Sequence, residues 1–268
     1  MSAHIEADTV RPTRSWKLSE NTRDRVISVA SPVLLLLVWE IAARTGLIDT
    51  RFFPAPSSIF ETLVTLSSTG ELWQHTAASL QRLFIGFLVG GIPALILGII
   101  MGLSRPVRAI FDPLISATYP IPKSSILPLA LLIFGLGEGS KIFMVAVGVF
   151  FPVAINATAG VREINKIYLD VGRNFKASRW DTFRTIALPG ALPVIMTGIK
   201  LGVGMGLVLI AIAEMMGAKS GLGYMIWAAW ETFSVEQMYV GLFVIAIIGF
   251  VLTLVLNEIE KRLVPWKR

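Results

Sequence analysis

Six stretches of the chain, near 26–43, 80–103, 113–135, 140–161, 191–213 and 237–257, stay apolar long enough to cross about 30 Å of hydrocarbon. Each runs for roughly 18 to 24 residues, the length a helix needs at 1.5 Å of rise per residue. Strands would leave backbone groups unpaired in lipid, and no stretch alternates polar with apolar residues as a barrel strand does. The expected fold class is therefore an all-α membrane protein of six transmembrane helices. Composition agrees: with 54% hydrophobic and 16% charged residues, a water-soluble core would leave too much apolar surface uncovered.

The polar residues between the stretches set the direction. Residues 1–25 carry Arg11, Arg14, Lys17, Arg23 and Arg25 without a short apolar core or small-residue cleavage site, and read as a cytoplasmic tail. With that tail inside, Arg105, Arg108, Arg162, Lys166, Arg173, Lys176, Arg179, Arg184, Lys261, Arg262, Lys267 and Arg268 also fall inside, seventeen cations in all. Arg44, Arg51, Arg82, Lys141 and Lys219 fall outside. The excess predicts both termini in the cytoplasm, with a membrane domain over 26–260 and a second tail over 261–268. Basic residues distributed this way control topology and do not build a nucleic-acid surface. The segment 50–79, with Pro54 and Pro56 before Ser57, Ser58 and Glu61, predicts an external surface helix with Trp73 at the interface.

The loop between the fourth and fifth stretches is about thirty residues long, far more than a turn needs. Ile164, Ile167, Tyr168, Val171 and Phe175 recur at helical spacing. Ser178-Arg179-Trp180-Asp181 then has the form of a capping box, and a second helix with Trp180, Phe183 and Ile186 on one side is expected to stop at Pro189. Either both stripes pack back on the bundle, or they meet a partner in the cytoplasm.

The run from Asp170 to Pro189 resembles the EAA loop of binding-protein-dependent ABC importer permeases. Ile186, Leu188 and Pro189 fall on that family's Ile-x-Leu-Pro positions; Asp170-Val171-Gly172 replaces the opening Glu-Ala-Ala, and Lys176 stands where the family has glycine. Lysine takes positive φ less cheaply than glycine, so the turn is expected to differ there. Tyr119-Pro120-Ile121-Pro122-Lys123, Leu127-Pro128-Leu129, Phe134-Gly135-Leu136-Gly137-Glu138, Ala213-Glu214-Met215 and Gly221-Leu222-Gly223 are similar to the nitrate/sulfonate/taurine branch. The resemblance covers roughly residues 30–265. It implies the type I importer permease fold and makes Asp170, Gly172, Phe175, Lys176, Ala177, Ser178, Trp180, Phe183, Ile186, Leu188 and Pro189 the ATPase-coupling segment. It also implies a homodimer in the bacterial inner membrane, two cytoplasmic ATPase subunits that bind ATP and Mg, and an external solute-binding protein.

Ionisable residues inside a membrane are functional candidates by default. Lys123 and Lys200 each stand about ten residues into a stretch, roughly 15 Å deep, where paired cations would help an anion cross. Internal pairing, with carbonyls freed by Pro120 and Pro122 in the case of Lys123, is the competing reading. Glu214, expected near the outer surface, is a candidate for an outer gate; Glu40 there is read as snorkelling or helix-end packing. Gly198, Gly202 and Gly206 form a small-residue stripe for close helix contact, either across a dimer axis or within one subunit. Gly86 with Gly90 and Gly98 with Gly102 read as packing.

Other classes fit less well. Gly135-Leu136-Gly137-Glu138-Gly139-Ser140-Lys141 imitates a phosphate loop, but Ser140 takes a glycine position and no Ser or Thr follows the lysine. No nucleotide site or other cofactor of the chain's own is expected. A membrane enzyme would need clustered catalytic groups, whereas the two histidines, His4 and His75, stand apart and cysteine is absent. A gradient-driven transporter would show inverted repeats, and none is evident.

Overall fold

The computed structural model describes residues 20–266, and in them the chain is helical, with no strand. The tail through residue 19, with His4, Arg11, Arg14 and Lys17, and the terminal Lys267 and Arg268 lie outside the described residues. Two compact units are distinct, one ending at Ser57 and one beginning at Ser58.

In the first unit, α1 (Glu20–Arg44) contains the first apolar stretch and ends on Gly46, whose φ of 74° suits glycine. The Leu47 and Ile48 amides turn back to the Ala42 carbonyl at 3.0 and 3.3 Å. Glu40 accepts from the Ser57 amide at 3.0 Å and the Ser57 hydroxyl at 2.8 Å, and so caps the start of α2 (Pro56–Ser68). Arg44 donates to the same carboxylate. Between them Asp49 accepts from the Arg51 amide and guanidinium, at 2.9 and 2.8 Å. That contact holds the Asp49 carboxyl below the usual carboxylate range.

In the second unit, Gly70, with φ 83°, breaks the chain before α3 (Glu71–Leu103). Residues 71–79 are thus the first turns of a long helix and not an external surface helix, because nothing between Glu71 and Leu103 stops helix propagation except the tolerated Pro93. α6 (Glu138–Arg162) lies between α3 and α9 (Leu188–Met215) at the centre of the bundle. Small residues permit this approach: a Cβ on Gly90 would stand 2.2 Å from the Ala146 carbonyl oxygen. Gly86, Gly98 and Gly102 likewise press on Val145, Ala154 and Val161. The stripe of Gly198, Gly202 and Gly206 meets Asn156, Val153 and Val145 of the same subunit, so this face is spent inside the protomer. α10 (Leu222–Glu231) and α11 (Val235–Leu263) complete the unit, sharing a core of Leu66, Leu72, Leu222, Met225 and Val240.

Two stretches differ from expectation. The third is not one helix over 113–135: α4 (Arg105–Thr118) and a short 3-10 turn leading into α5 (Leu127–Phe134) meet at 91°. Pro120 and Pro122 supply no amides at the break and disfavour helical geometry in the residues before them. Pro189, in contrast, does not stop the helix begun by α8 (Arg179–Thr182). A π-turn over Phe183–Ala187 joins α8 to α9, and the Leu188 amide reaches back to the Phe183 carbonyl. The wider turn makes room for the proline ring and accommodates its missing amide, so Trp180–Met215 is one apolar rod of 36 residues. Among the described residues four helices are long and apolar enough to cross a membrane, at 71–103, 138–162, 180–215 and 235–263; the pair bent by 91° is either a broken fifth span or a re-entrant loop.

Candidate functional site

The cytoplasmic-loop candidate is built from α7 (Lys166–Asn174), a tight turn, α8 and the π-turn. Lys176 adopts φ 52°, and the Ala177 amide donates to the Gly172 carbonyl at 3.0 Å. The left-handed turn expected to change at lysine is therefore formed with lysine in place. The Ser178 hydroxyl accepts from the Asp181 amide at 3.1 Å, while the Asp181 carboxylate accepts from that hydroxyl at 2.6 Å, closing the box through the side chain. Gly172 is buried because Ile186 lies against it, 2.9 Å from where a Cβ would be. Ile186 thereby ties the second helix to the first.

Ile164 and Phe183 are half-buried, and other apolar groups of the loop are exposed. Ile167, Tyr168 and Trp180 are well exposed, and Phe175 is 82% exposed. Trp180 and Phe183 lie with ring centroids 5.5 Å apart. A cleft of about 360 Å³ between α7 and the start of α9 is lined by Glu163, Ile164, Tyr168, Ile186, Pro189 and Trp266. The loop thus presents an aromatic ridge backed by open space. Side chains with this much exposed apolar area belong against a partner surface.

The intramembrane candidates separate by their partners. The Lys123 ammonium, at the α4–α5 break, donates to the carbonyls of Thr118, Tyr119 and Ile121 at 2.9, 2.9 and 3.0 Å. It also lies 4.0 Å from the centre of the Phe151 ring. All these partners are neutral, and with the residue buried they are the internal hydrogen bonds to carbonyls around Pro120 and Pro122 that formed the competing reading of this lysine. Lys200 is not at a matching position on an unbroken helix; it donates to Glu260 and Asn257 of α11, and Glu260 stands three residues before that helix ends. Its charge is matched by a carboxylate near the end of α11.

Glu214 is fully buried. It accepts from the Ser79 hydroxyl at 2.7 Å, from Arg82 at 2.8 Å and from the Gly223 amide at 3.0 Å. Gly221, at φ 117°, and Gly223 make the space: a Cβ on Gly221 would lie 2.2 Å from the Glu214 carboxyl carbon. The amides opening α10 are also received by side chains, Gly221 by His75 Nδ1 at 3.1 Å and Leu222 by the Ser79 hydroxyl at 2.8 Å. Arg82 extends the cluster, donating to the Ser220 carbonyl at 2.6 Å and in fork geometry to Glu138 at 2.5 and 2.7 Å.

Arg82 and Lys141 are buried side chains; Lys141 caps the carbonyls of Leu136 and Gly137 at 2.7 and 2.9 Å. Ser79, His75, Arg82 and Glu138 had not been recognised as parts of one site. One signal was present for Arg82: it precedes Gly86 by four residues and Gly90 by eight, on the face that the glycines commit to close contact.

Comparison with known proteins follows this geometry. The family described as the inner membrane component of binding-protein-dependent transport systems matches residues 94–268. The taurine transport system permease protein TauC of Escherichia coli strain K12 is 38% identical over 256 residues, covering 94% of this chain and 92% of that protein. The nitrate import permease protein NrtB of Leptolyngbya laminosa is 33% identical over 196 residues, covering 73% and 70%. Among solved structures, a chain of the MetNI methionine ABC transporter in an inward-facing conformation superposes with a TM-score of 0.55 at 20% identity, over 73% of this chain and 95% of that one. At that identity the likeness shows a shared fold.

Proposed function

The chain belongs to the inner membrane components of binding-protein-dependent transport systems, and we propose that it forms the pathway of an ATP-driven importer for a small anion of the taurine, sulfonate or nitrate kind. Two copies pair in the membrane. Two cytoplasmic ATPase subunits, which hold ATP and Mg, dock on the two loops, and an external binding protein delivers the solute. ATP binding closes the ATPase pair and moves the loops, turning the pathway outward; hydrolysis resets it inward.

The observation that carries this reading is the set of exposed aromatic side chains on α7 and α8, whose turn is fixed by its capping box and by the contact of Ile186 with Gly172. Six crossings with both termini cytoplasmic are supported by the excess of Lys and Arg assigned to the inner side, seventeen against five. Among the pathway candidates, Lys200 faces Glu260 and Arg82 faces two carboxylates, whereas Lys123 meets neutral carbonyls and rings at a helix break, so the pathway role is proposed for Lys123. Exposed Ser124 and Ser125 follow it directly and add hydroxyl donors.

Replacing Trp180 and Phe183 together with alanine tests the coupling role. The variant is expected to insert and fold but to lose its ATPase on co-purification. Undiminished association would count against the ridge as the docking element.

A further inference from the structure

The two carboxylates around Arg82 differ in their freedom to leave. Glu214 is fully buried, held by three donors and closed in by Gly221 and Gly223. Glu138, the first residue of α6, has a side chain 61% exposed, and among the described residues it is hydrogen-bonded by Arg82 alone. The guanidinium it covers is almost wholly inside, its side chain 6% exposed. Two parallel donors, Nε and Nη2, are therefore capped by one displaceable carboxylate. A planar or tetrahedral oxoanion offers two oxygens at the same spacing.

Charge favours such an exchange. Arg82 and Lys141 together balance Glu138 and Glu214, and both carboxylates act electrostatically on Lys141. When Glu138 swings into water, Arg82, Lys141 and Glu214 leave one uncompensated positive charge. The Ser220 hydroxyl, which accepts from Nη2 at 3.0 Å, keeps its own proton for a third oxygen. Resting on the reading that the chain imports a small anion, we propose that the Nε–Nη2 edge of Arg82 is an outer binding site for sulfonate, nitrate or carboxylate, with Glu138 as its built-in competitor. A tethered competitor acts at high effective concentration, which keeps the site weak enough to release what it takes up.

Methanesulfonate titrated calorimetrically into the full-length chain in lipid nanodiscs tests the site, with the neutral methanesulfonamide as control. Glu138→Gln removes the competing charge on an exposed side chain and is expected to tighten methanesulfonate binding about tenfold or more. Adding Arg82→Lys, which loses the fork, should cancel the gain while the sulfonamide binds in neither. A Glu138→Gln affinity equal to or weaker than that of the unaltered chain overturns the proposal and leaves Arg82–Glu138 as a structural pair. Glu138→Ala supplies the same comparison should the glutamine variant unfold. If anion uptake by intact cells persists in that event, the importer reading stands and the site alone is lost; if the cells take up no anion, the importer reading itself fails.

Discussion

Ser79→Ala removes one oxygen that serves two buried partners, and its cost can be worked from each. The hydroxyl donates to the ionised Glu214 at 2.7 Å, and a hydrogen bond to a charged group contributes about 1.5–3 kcal/mol. It also accepts from the Leu222 amide at 2.8 Å; without it that buried donor is orphaned at about 1–3 kcal/mol. Together the loss is roughly 2.5–6 kcal/mol, large for one atom. Thermal unfolding followed by tryptophan fluorescence should show the midpoint falling by at least about 5 °C. Hydrogen exchange at Leu222 should quicken, because the amide loses its cap. In a Glu214→Gln background the charged bond is already gone, so the same substitution should cost only about 1–3 kcal/mol, the orphaned amide alone. A fall of less than about 1 kcal/mol in the otherwise unaltered chain would refute the reasoning. It would mean that water replaces the hydroxyl, or that Glu214 is neutral where it lies.

Three further outcomes follow from the geometry. Lys176→Gly relieves a left-handed lysine and should stabilise the α7–α8 turn by about 0.5–1 kcal/mol, read as slower exchange of the Ala177 amide; faster exchange would contradict it. Lys123→Met should lower anion uptake more than it lowers membrane assembly, and unchanged uptake removes this residue from the pathway. Lys200→Met, which leaves Glu260 facing an apolar chain, should lower assembly first, and Glu260→Gln in the same chain should restore it; uptake lost with assembly intact would argue for a direct role of Lys200.

The helices were legible because lipid imposes a single local rule, that roughly twenty apolar residues in a row must be helical. Gly90 and Gly98 announced close approach for a similar reason: a missing Cβ is a local property with one structural use. The α4–α5 break was half legible, since Pro120 and Pro122 were visible but the 91° bend depends on what α5 packs against. At Pro189 a local rule misled, because a π-turn restores the chain's direction at little cost when the flanking helices are otherwise held. The Arg82 cluster was not legible as a site. Its hydrogen bonds join residues up to 146 apart in the chain, and an arginine just before an apolar run looks the same whether it points to water or to a carboxylate on another helix.

The join between α8 and α9 has a mechanical consequence. A member of 36 residues is about 54 Å long, and a tilt of a few degrees displaces its ends by several ångströms. Trp180 sits at one end and Glu214 next to the other, with Lys200 between them fastened to α11. Torque applied to the ridge therefore loads the fastening at Lys200 and the clasp at Glu214 in the same stroke. The π-turn, where the helix is widest and its bonds fewest, is the compliant section that decides how much of that load arrives.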